Sequence, residues 1–219
     1  LDNTAATQAQ TAFDGTPVYS DYSVLSRWWA RRLTRPARRV VLYYNSISLH
    51  DGNRVVTGTR GDSSYGARFA NLSGDVTRFL DLLRGSGRHV VVVFIAEHGA
   101  ALRGDRRQIQ GLREIPTAAI ARVPVAIALI NAPRPPAMEQ SRIDAPASYP
   151  ALTEILARLI SHNPFAAPVA SLGDYVETLP QTPFVAENNG ATVIQAGAHF
   201  MMRSPDGAWA SLDGIDADR

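Results

Sequence analysis

The sequence contains no cysteine and no lysine among its 219 residues. The first absence excludes disulfides and thiolate metal ligands from within the chain, and it is compatible with either cytosol or periplasm. The second means that all 22 basic residues are arginine, and the formal net charge is +2. Several arginines lie in residues 31–39, next to Trp28 and Trp29. This amphipathic pattern predicts a solvated helix face rather than a nucleic-acid footprint, so we expect no nucleic-acid partner.

Long apolar runs are also missing, since no stretch approaches the roughly 20 residues needed to cross a bilayer. Residues 1–10 lack the charged and apolar regions of a signal peptide, and the sequence does not begin with Met. We therefore expect a piece of a longer protein or a processed product. A hydrophobic content of 45% is sufficient for the core of one α/β domain.

Hydrophobic periodicity predicts three helices, over residues 20–35, 64–84 and 149–160. Continuous apolar runs predict three buried strands, over residues 39–45, 89–96 and 123–129. Because buried strands joined by helices form βαβ units, the predicted fold class is α/β, with a mostly parallel sheet flanked by helices.

The two ends of the chain have residue patterns that differ from those of the segments between them. Residues 1–15 are polar, so we expect a flexible lead-in, with residues 16–219 forming the folded portion. After Pro180 the sequence breaks into short alternating pieces, Thr192–Gln195 and His199–Arg203, separated by turn residues. This tail predicts a small C-terminal antiparallel hairpin at the edge of the sheet.

Residues with ligand chemistry follow the strongest predicted strand. Ligands of open parallel α/β sheets bind beyond the carboxyl ends of the strands, and this strand is followed by Glu97, His98 and Gly99. A carboxylate and an imidazole suit Zn²⁺, and a glycine permits the backbone to leave extended geometry there. A lone Glu-His pair at a strand end is more often an exposed salt-bridge pair, so both interpretations stay open.

Two further side chains are candidates for the same chemistry. His50 follows the first predicted strand, where it either caps a turn or acts on a bound oxyanion. Arg113 is of the residue type that clamps a phosphate through two parallel hydrogen bonds. Asp51 and Asp105 are candidate ligands by residue type only, and we expect them to be turn residues. Structural positions are expected for His89 and His162, and no role is assigned to Asn53 and His199.

Taken in order, these segments resemble the cellulose phosphoethanolamine transferases of bacterial cellulose-secretion operons. The resemblance runs from about Phe13 to Trp209, and an ordered series of matches is more specific than any single motif. The matching segments are Phe13–Val18, Trp28–Trp29, Asn45, Leu49–Asn53, Glu97–Asp105, Gly111–Pro116, Val123–Val125, Leu179–Thr182 and Glu187–Asn188.

The resemblance implies an alkaline-phosphatase-like fold and a periplasmic catalytic domain of an inner-membrane protein. It implies transfer of phosphoethanolamine from phosphatidylethanolamine to the 6-hydroxyl of glucose units in cellulose, with subunits of the cellulose synthase complex as partners. By the same resemblance, Glu97 and His98 are zinc ligands, His50 is a further active-site residue, and Arg113 lies on the substrate side.

The sequence departs from the family pattern in one respect. In the family, a Cys ligand, the nucleophilic Ser and the transmembrane helices lie upstream of the segments matched here. We therefore expect residues 16–219 to be the C-terminal portion of the catalytic domain, inactive alone. Two alternatives stay open: a related transferase or sulfatase-like hydrolase with another acceptor, and a non-catalytic partner domain of the cellulose synthase complex.

Overall fold

The computed structural model describes residues 6–35, 39–56, 64–102, 104, 107–109, 111–133, 142–144, 146–166 and 179–213. The chain divides into two compact units, Leu1–Arg88 and His89–Arg219. Among the described residues, no helix is both long and apolar enough to cross a membrane.

The first unit contains a small antiparallel sheet of three strands. These are β1 (Gln8–Thr11), β2 (Pro17–Tyr19) and β3 (Arg54–Val55), in the order β2-β1-β3. The lead-in predicted over residues 1–15 contains β1, which is the central strand of this sheet. Its Gln10 side chain is buried. A polar strand was overlooked because its stability comes from pairing on both edges, not from an apolar pattern.

Two of the predicted helices are confirmed in this unit, α1 (Asp21–Leu33) and α2 (Tyr65–Gly85). Each begins after a serine whose hydroxyl accepts a backbone N–H of the first turn, Ser20 for α1 and Ser64 for α2. The α1 terminus is tied to α2, because Asp75 accepts hydrogen bonds from the Ser20 hydroxyl at 2.6 Å and from the Tyr22 amide at 3.2 Å.

The strand predicted over residues 39–45 is not formed in the structure. Among the described residues, this segment pairs with no strand, although it alternates between exposed and half-buried positions from residue 41 on. Val41 is 93% exposed and Tyr43 is 86% exposed, whereas Tyr44 turns inward. The prediction was wrong because an apolar, β-branched run indicates the capacity to pair, and pairing also requires a neighbouring strand.

Asp21 is a buried acceptor that holds this segment against α1. It accepts a hydrogen bond from the Tyr44 hydroxyl at 2.7 Å and another from the Ser48 hydroxyl. Burial, together with the adjacent carboxylate, raises the pKa of Tyr44 far above its ordinary value, so the phenol stays protonated and donates.

The second unit begins with a two-stranded sheet made of β4 (Val90–Ile95) and β5 (Val125–Ile130). Both strands were predicted, but they pair antiparallel, with Val90 opposite Ile130 and Ile95 opposite Val125. The prediction of a mostly parallel sheet is wrong for the described residues, in which every strand pair is antiparallel. A parallel pair needs a crossover connection, usually helical, and the helix found between these strands, α3 (Ala118–Ala121), has four residues.

The third predicted helix, α4 (Tyr149–Ser161), is confirmed and covers one face of this sheet. Its buried Ile155 and Leu159 pack against the half-buried hydrophobic side chains Val91, Ile127, Leu129 and Leu179. The apolar face that the sequence showed in this helix is thus the face that contacts the strands.

The predicted C-terminal hairpin is confirmed as part of a four-stranded antiparallel sheet, in the order β6-β7-β8-β9. The strands are β6 (Val185–Asn188), β7 (Ala191–Ala196), β8 (His199–Arg203) and β9 (Trp209–Ser211). One face of this sheet is buried, where Val193, Met202 and Leu212 pack against Ile115, Phe184 and Phe200.

Replacing Asp21 with alanine is expected to lower the free energy of unfolding of the chain by about 2–4 kcal/mol, because two partly or fully buried hydroxyls lose their acceptor. Chemical denaturation followed by circular dichroism measures this loss. The matched control is Asp81→Ala, which breaks an exposed ion pair with Arg84 and is expected to cost less than about 1 kcal/mol. Equal losses in the two variants would show that the Asp21 hydrogen bonds do not stabilise this unit.

Candidate functional site

Glu97 and His98 lie just beyond the carboxyl end of β4, as the sequence predicted. The strand ends at Ile95, the chain bends at both residues, and both side chains are exposed. Neighbouring residues within a strand point to opposite faces of the sheet. This rule does not apply to Glu97 and His98, because neither residue belongs to the strand. An exposed carboxylate and an exposed imidazole therefore follow one another just beyond the end of the strand.

The bend is held by Gly99, which lies against the backbone of α3. Its amide donates a hydrogen bond to the Ile120 carbonyl at 2.6 Å. A Cβ atom at this position would lie 1.9 Å from the Ala119 carbonyl oxygen. The glycine is therefore required by the close approach of two backbones rather than by the conformational freedom that the sequence suggested.

The His98 ring has both nitrogens engaged, and the partners define its tautomer. Its Nδ1 lies 2.6 Å from the Gly99 carbonyl oxygen, which can only accept, so Nδ1 carries the proton. Its Nε2 is hydrogen-bonded to Nη1 of Arg113, which can only donate, so Nε2 carries the lone pair. This is the neutral imidazole that a metal ion requires, with the second nitrogen oriented by a backbone carbonyl.

Arg113 is held in place by two amide side chains that sequence reasoning did not select for a role. Buried Gln108 makes two 3.1 Å hydrogen bonds with the backbone of Ile115, one to its amide and one to its carbonyl. Asn188 donates to the Arg113 carbonyl at 2.6 Å. The loop that carries the guanidinium is thus tied to the C-terminal sheet. The sequence signal for this was weak, consisting of Asn188 within the family-like pair Glu187–Asn188.

The donor set suits zinc but does not complete a zinc site. A carboxylate oxygen and a neutral imidazole nitrogen are both ordinary Zn²⁺ ligands, and structural or catalytic zinc takes at least three protein ligands. Within the described residues, no group of three or more His, Cys, Asp or Glu side chains is suitably placed to hold a metal. Glu97 and His98 therefore fit half of a zinc site.

His50 belongs to the first unit, where it forms part of a tight turn. Its amide donates to the Ile47 carbonyl, and its ring stacks on Phe13 with centroids 6.1 Å apart. Its Nδ1 donates to the Asp51 carbonyl at 2.8 Å, which leaves Nε2 as the acceptor and facing outward, as an exposed side chain. The side chain of buried Asn53 donates to Ile47 and closes the same turn.

The remaining histidines have structural surroundings. His89 stacks on Phe165 with ring centroids 4.6 Å apart, and His162 is the C-terminal cap of α4. His199 pairs with Asp213 at 2.6 Å in the C-terminal unit, and hydrogen bonds from the Phe200 amide and His199 lower the pKa of Asp213. Asp105 lies outside the described residues.

The comparisons with known proteins agree on one family. The model of the cellulose biosynthesis protein BcsG C-terminal domain matches residues 1–209. The cellulose biosynthesis protein BcsG of Salmonella typhimurium is 36% identical over 201 residues, covering 92% of this chain and 36% of the relative. The protein of the same name from Escherichia coli is 34% identical over 209 residues, covering 95% of this chain and 37% of the relative.

Fold and site together define a mixed domain of helices and antiparallel sheets that exposes a carboxylate, an imidazole and a guanidinium at the end of a strand. The chain belongs to the BcsG C-terminal domain family of cellulose biosynthesis proteins. It spans a little more than a third of the length of the two relatives it matches.

Replacing Gly99 with alanine is expected to lower the free energy of unfolding by about 1–3 kcal/mol, because the added methyl group forces apart the bend and α3. The control is Gly74→Ala in the exposed middle of α2, where nothing lies within 4 Å of the added atom. That change is expected to stabilise the chain by about 0.5–1 kcal/mol. Thermal melting of both variants checks the opposite signs, and an unchanged Gly99→Ala variant would show that the two backbones are not in contact.

Proposed function

We propose that the full-length protein is a zinc-dependent transferase, which moves phosphoethanolamine from phosphatidylethanolamine to the 6-hydroxyl of glucose units in cellulose. This chain supplies half of its metal site and a phosphate-binding arginine. The observation that carries the proposal is the group at the carboxyl end of β4, where His98 presents Nε2 in its neutral tautomer next to exposed Glu97 and to Arg113.

Glu97 and His98 would hold the zinc ion, which supplies a Lewis acid that offsets negative charge on the phosphoryl oxygens. The Gly99 carbonyl keeps the proton of His98 on Nδ1, so the ring offers Nε2 without first losing a proton. The backbone contact of Gly99 with α3 sets the position of both ligands. The nucleophilic Ser and the Cys ligand belong, by the family resemblance, to the upstream part of the protein.

Arg113 has two alternative partners in this proposal. It donates to His98 Nε2, the same lone pair that a metal ion takes. If a zinc ion took that lone pair, the guanidinium would be free to bind phosphoryl oxygens at two points. Asn188 and Gln108 keep the Arg113 loop in place during this exchange.

His50 is assigned to proton transfer at the reacting oxygen. Its Nδ1–H is held by the Asp51 carbonyl, so its outward Nε2 is able to accept a proton from a hydroxyl and return it as a donor. The proposal includes an alkaline-phosphatase-like catalytic domain in the bacterial periplasm. It also includes attachment to the inner membrane through helices outside this chain and association with cellulose synthase subunits.

In the full-length protein, His98→Ala is expected to abolish bound zinc and to lower transfer by at least about 100-fold, since a metal ligand is lost. Zinc is counted by elemental mass spectrometry, and transfer is followed by phosphorus NMR of the cellulose product. His199→Ala is the control, because that histidine is exposed in the same unit and pairs with Asp213 instead. A His98→Ala protein with stoichiometric zinc would refute the ligand assignment, and modification of lipid A instead of glucan would refute the acceptor.

Arg113→Ala is expected to separate the two functions of the site. Transfer should fall about 100-fold, because an electrostatic contact to the phosphoryl group is removed. Zinc affinity should stay the same or rise, because the competing donor to His98 Nε2 is gone. A zinc titration with a chromophoric chelator measures the second effect. The control Arg142→Ala removes an exposed arginine paired with Asp144 and should change neither quantity, whereas loss of zinc in Arg113→Ala would contradict the proposed exchange.

A further inference from the structure

The C-terminal sheet has one buried face and one face turned to solvent. Val193 lies opposite Met202, which lies opposite Ala210, and this row faces the core, with Val193 fully buried. Because successive residues of a strand point to opposite faces, the residues next to this row point away from the core. They form what we call the outer face.

Four side chains line up across the outer face, one on each strand. Glu187 lies opposite Thr192, Thr192 opposite Arg203, and Arg203 opposite Trp209. With strands about 4.8 Å apart, this outer row is about 14 Å long. Glu187 and Arg203 are exposed, and Trp209 is 52% exposed. Within the described part of the chain, none of the four side chains forms a hydrogen bond or an ion pair.

A second row on the same face is apolar. Val185 lies opposite Ile194, which lies opposite Met201. Val185 is exposed and the other two are half-buried. The outer face therefore combines an apolar strip with a parallel row of hydrogen-bonding groups that ends in an exposed indole. A tryptophan needed only for the core would be buried with Val193 and Met202.

We propose that the outer face binds a β-glucan chain, so that this domain holds its own acceptor polymer. A pyranose ring has apolar C–H faces, which stack on an indole, and hydroxyl edges, which bind carboxylate, hydroxyl and guanidinium groups. A row of side chains that continues over four neighbouring strands matches an extended polymer better than a compact ligand. The inference rests on the proposed function for the identity of the acceptor as cellulose.

Charge distinguishes this ligand from other polymers. The outer row carries one negative and one positive group, Glu187 and Arg203, so its net charge is zero. An anionic lipid surface or a nucleic acid is held by clusters of cationic groups, which this face does not have. A protein partner would bury a mainly apolar centre free of charges, whereas the hydrogen-bonding row occupies half of this face. A neutral polyhydroxyl chain can contact the apolar row through its C–H faces and the hydrogen-bonding row through its hydroxyl groups.

The test is the binding of cellohexaose to the 219-residue chain, measured by isothermal titration calorimetry. Trp209→Ala is expected to weaken binding at least about tenfold, as for an exposed aromatic residue that anchors a ligand. Tyr149→Ala is the control, because it removes another exposed aromatic side chain of the same unit, at the start of α4. It should bind cellohexaose as the unaltered chain does.

A second variant, Thr192→Ala with Arg203→Ala, leaves the indole in place and is expected to weaken binding by a similar factor. Circular dichroism confirms that each variant is folded. Absence of cellohexaose binding by the unaltered chain at millimolar concentrations would overturn the proposal, as would unchanged binding by both variants. Cellohexaose binding is measured without added metal, whereas the zinc proposal is tested by the metal content of the full-length protein, so failure of the zinc chemistry and failure of the outer face are distinguished by separate measurements.

Discussion

The contact between Gly99 and α3 is the constraint on which the candidate site depends. Two backbones meet there without an intervening side chain, and the amide of Gly99 donates to Ile120 at 2.6 Å. This contact holds the bend immediately after β4, where Glu97 and His98 are exposed. The carbonyl of the same glycine orients the His98 ring. One small residue thus holds the bend that carries Glu97 and His98 and orients the His98 ring so that Nε2 bears the lone pair.

The rest of the site is built by polar side chains that hold backbone loops. Gln108 closes the Arg113 loop through two hydrogen bonds to Ile115, and Asn188 joins that loop to the C-terminal sheet. This sheet consequently has two uses in our proposals. One of its strands supports the phosphate-binding arginine, and its outer face is offered to the acceptor polymer. In the first unit, buried Asp21 performs the corresponding structural task by holding Tyr44 and Ser48.

Much of the secondary structure could be predicted from the sequence, since it is encoded locally. The helices α1, α2 and α4 were visible from apolar periodicity, and β4 and β5 from continuous apolar runs. Strand direction was not encoded locally, because the same apolar run suits a parallel or an antiparallel partner. The polar strand β1 was not predicted, and residues 39–45 were wrongly predicted as a strand, because strand formation also depends on whether a neighbouring strand is available.

For the site, the residue types and their order could be predicted from the sequence. Glu97, His98 and Gly99 follow the strongest strand, and Arg113 lies farther along the chain. The sequence also allowed the family to be identified by resemblance, and the comparisons confirmed that family. The tertiary structure alone decided that Arg113 reaches His98 and why residue 99 must be glycine. These facts depend on atoms that are 15 or more residues apart in the chain and meet only after folding. No pattern among neighbouring residues in the sequence predicts such a contact.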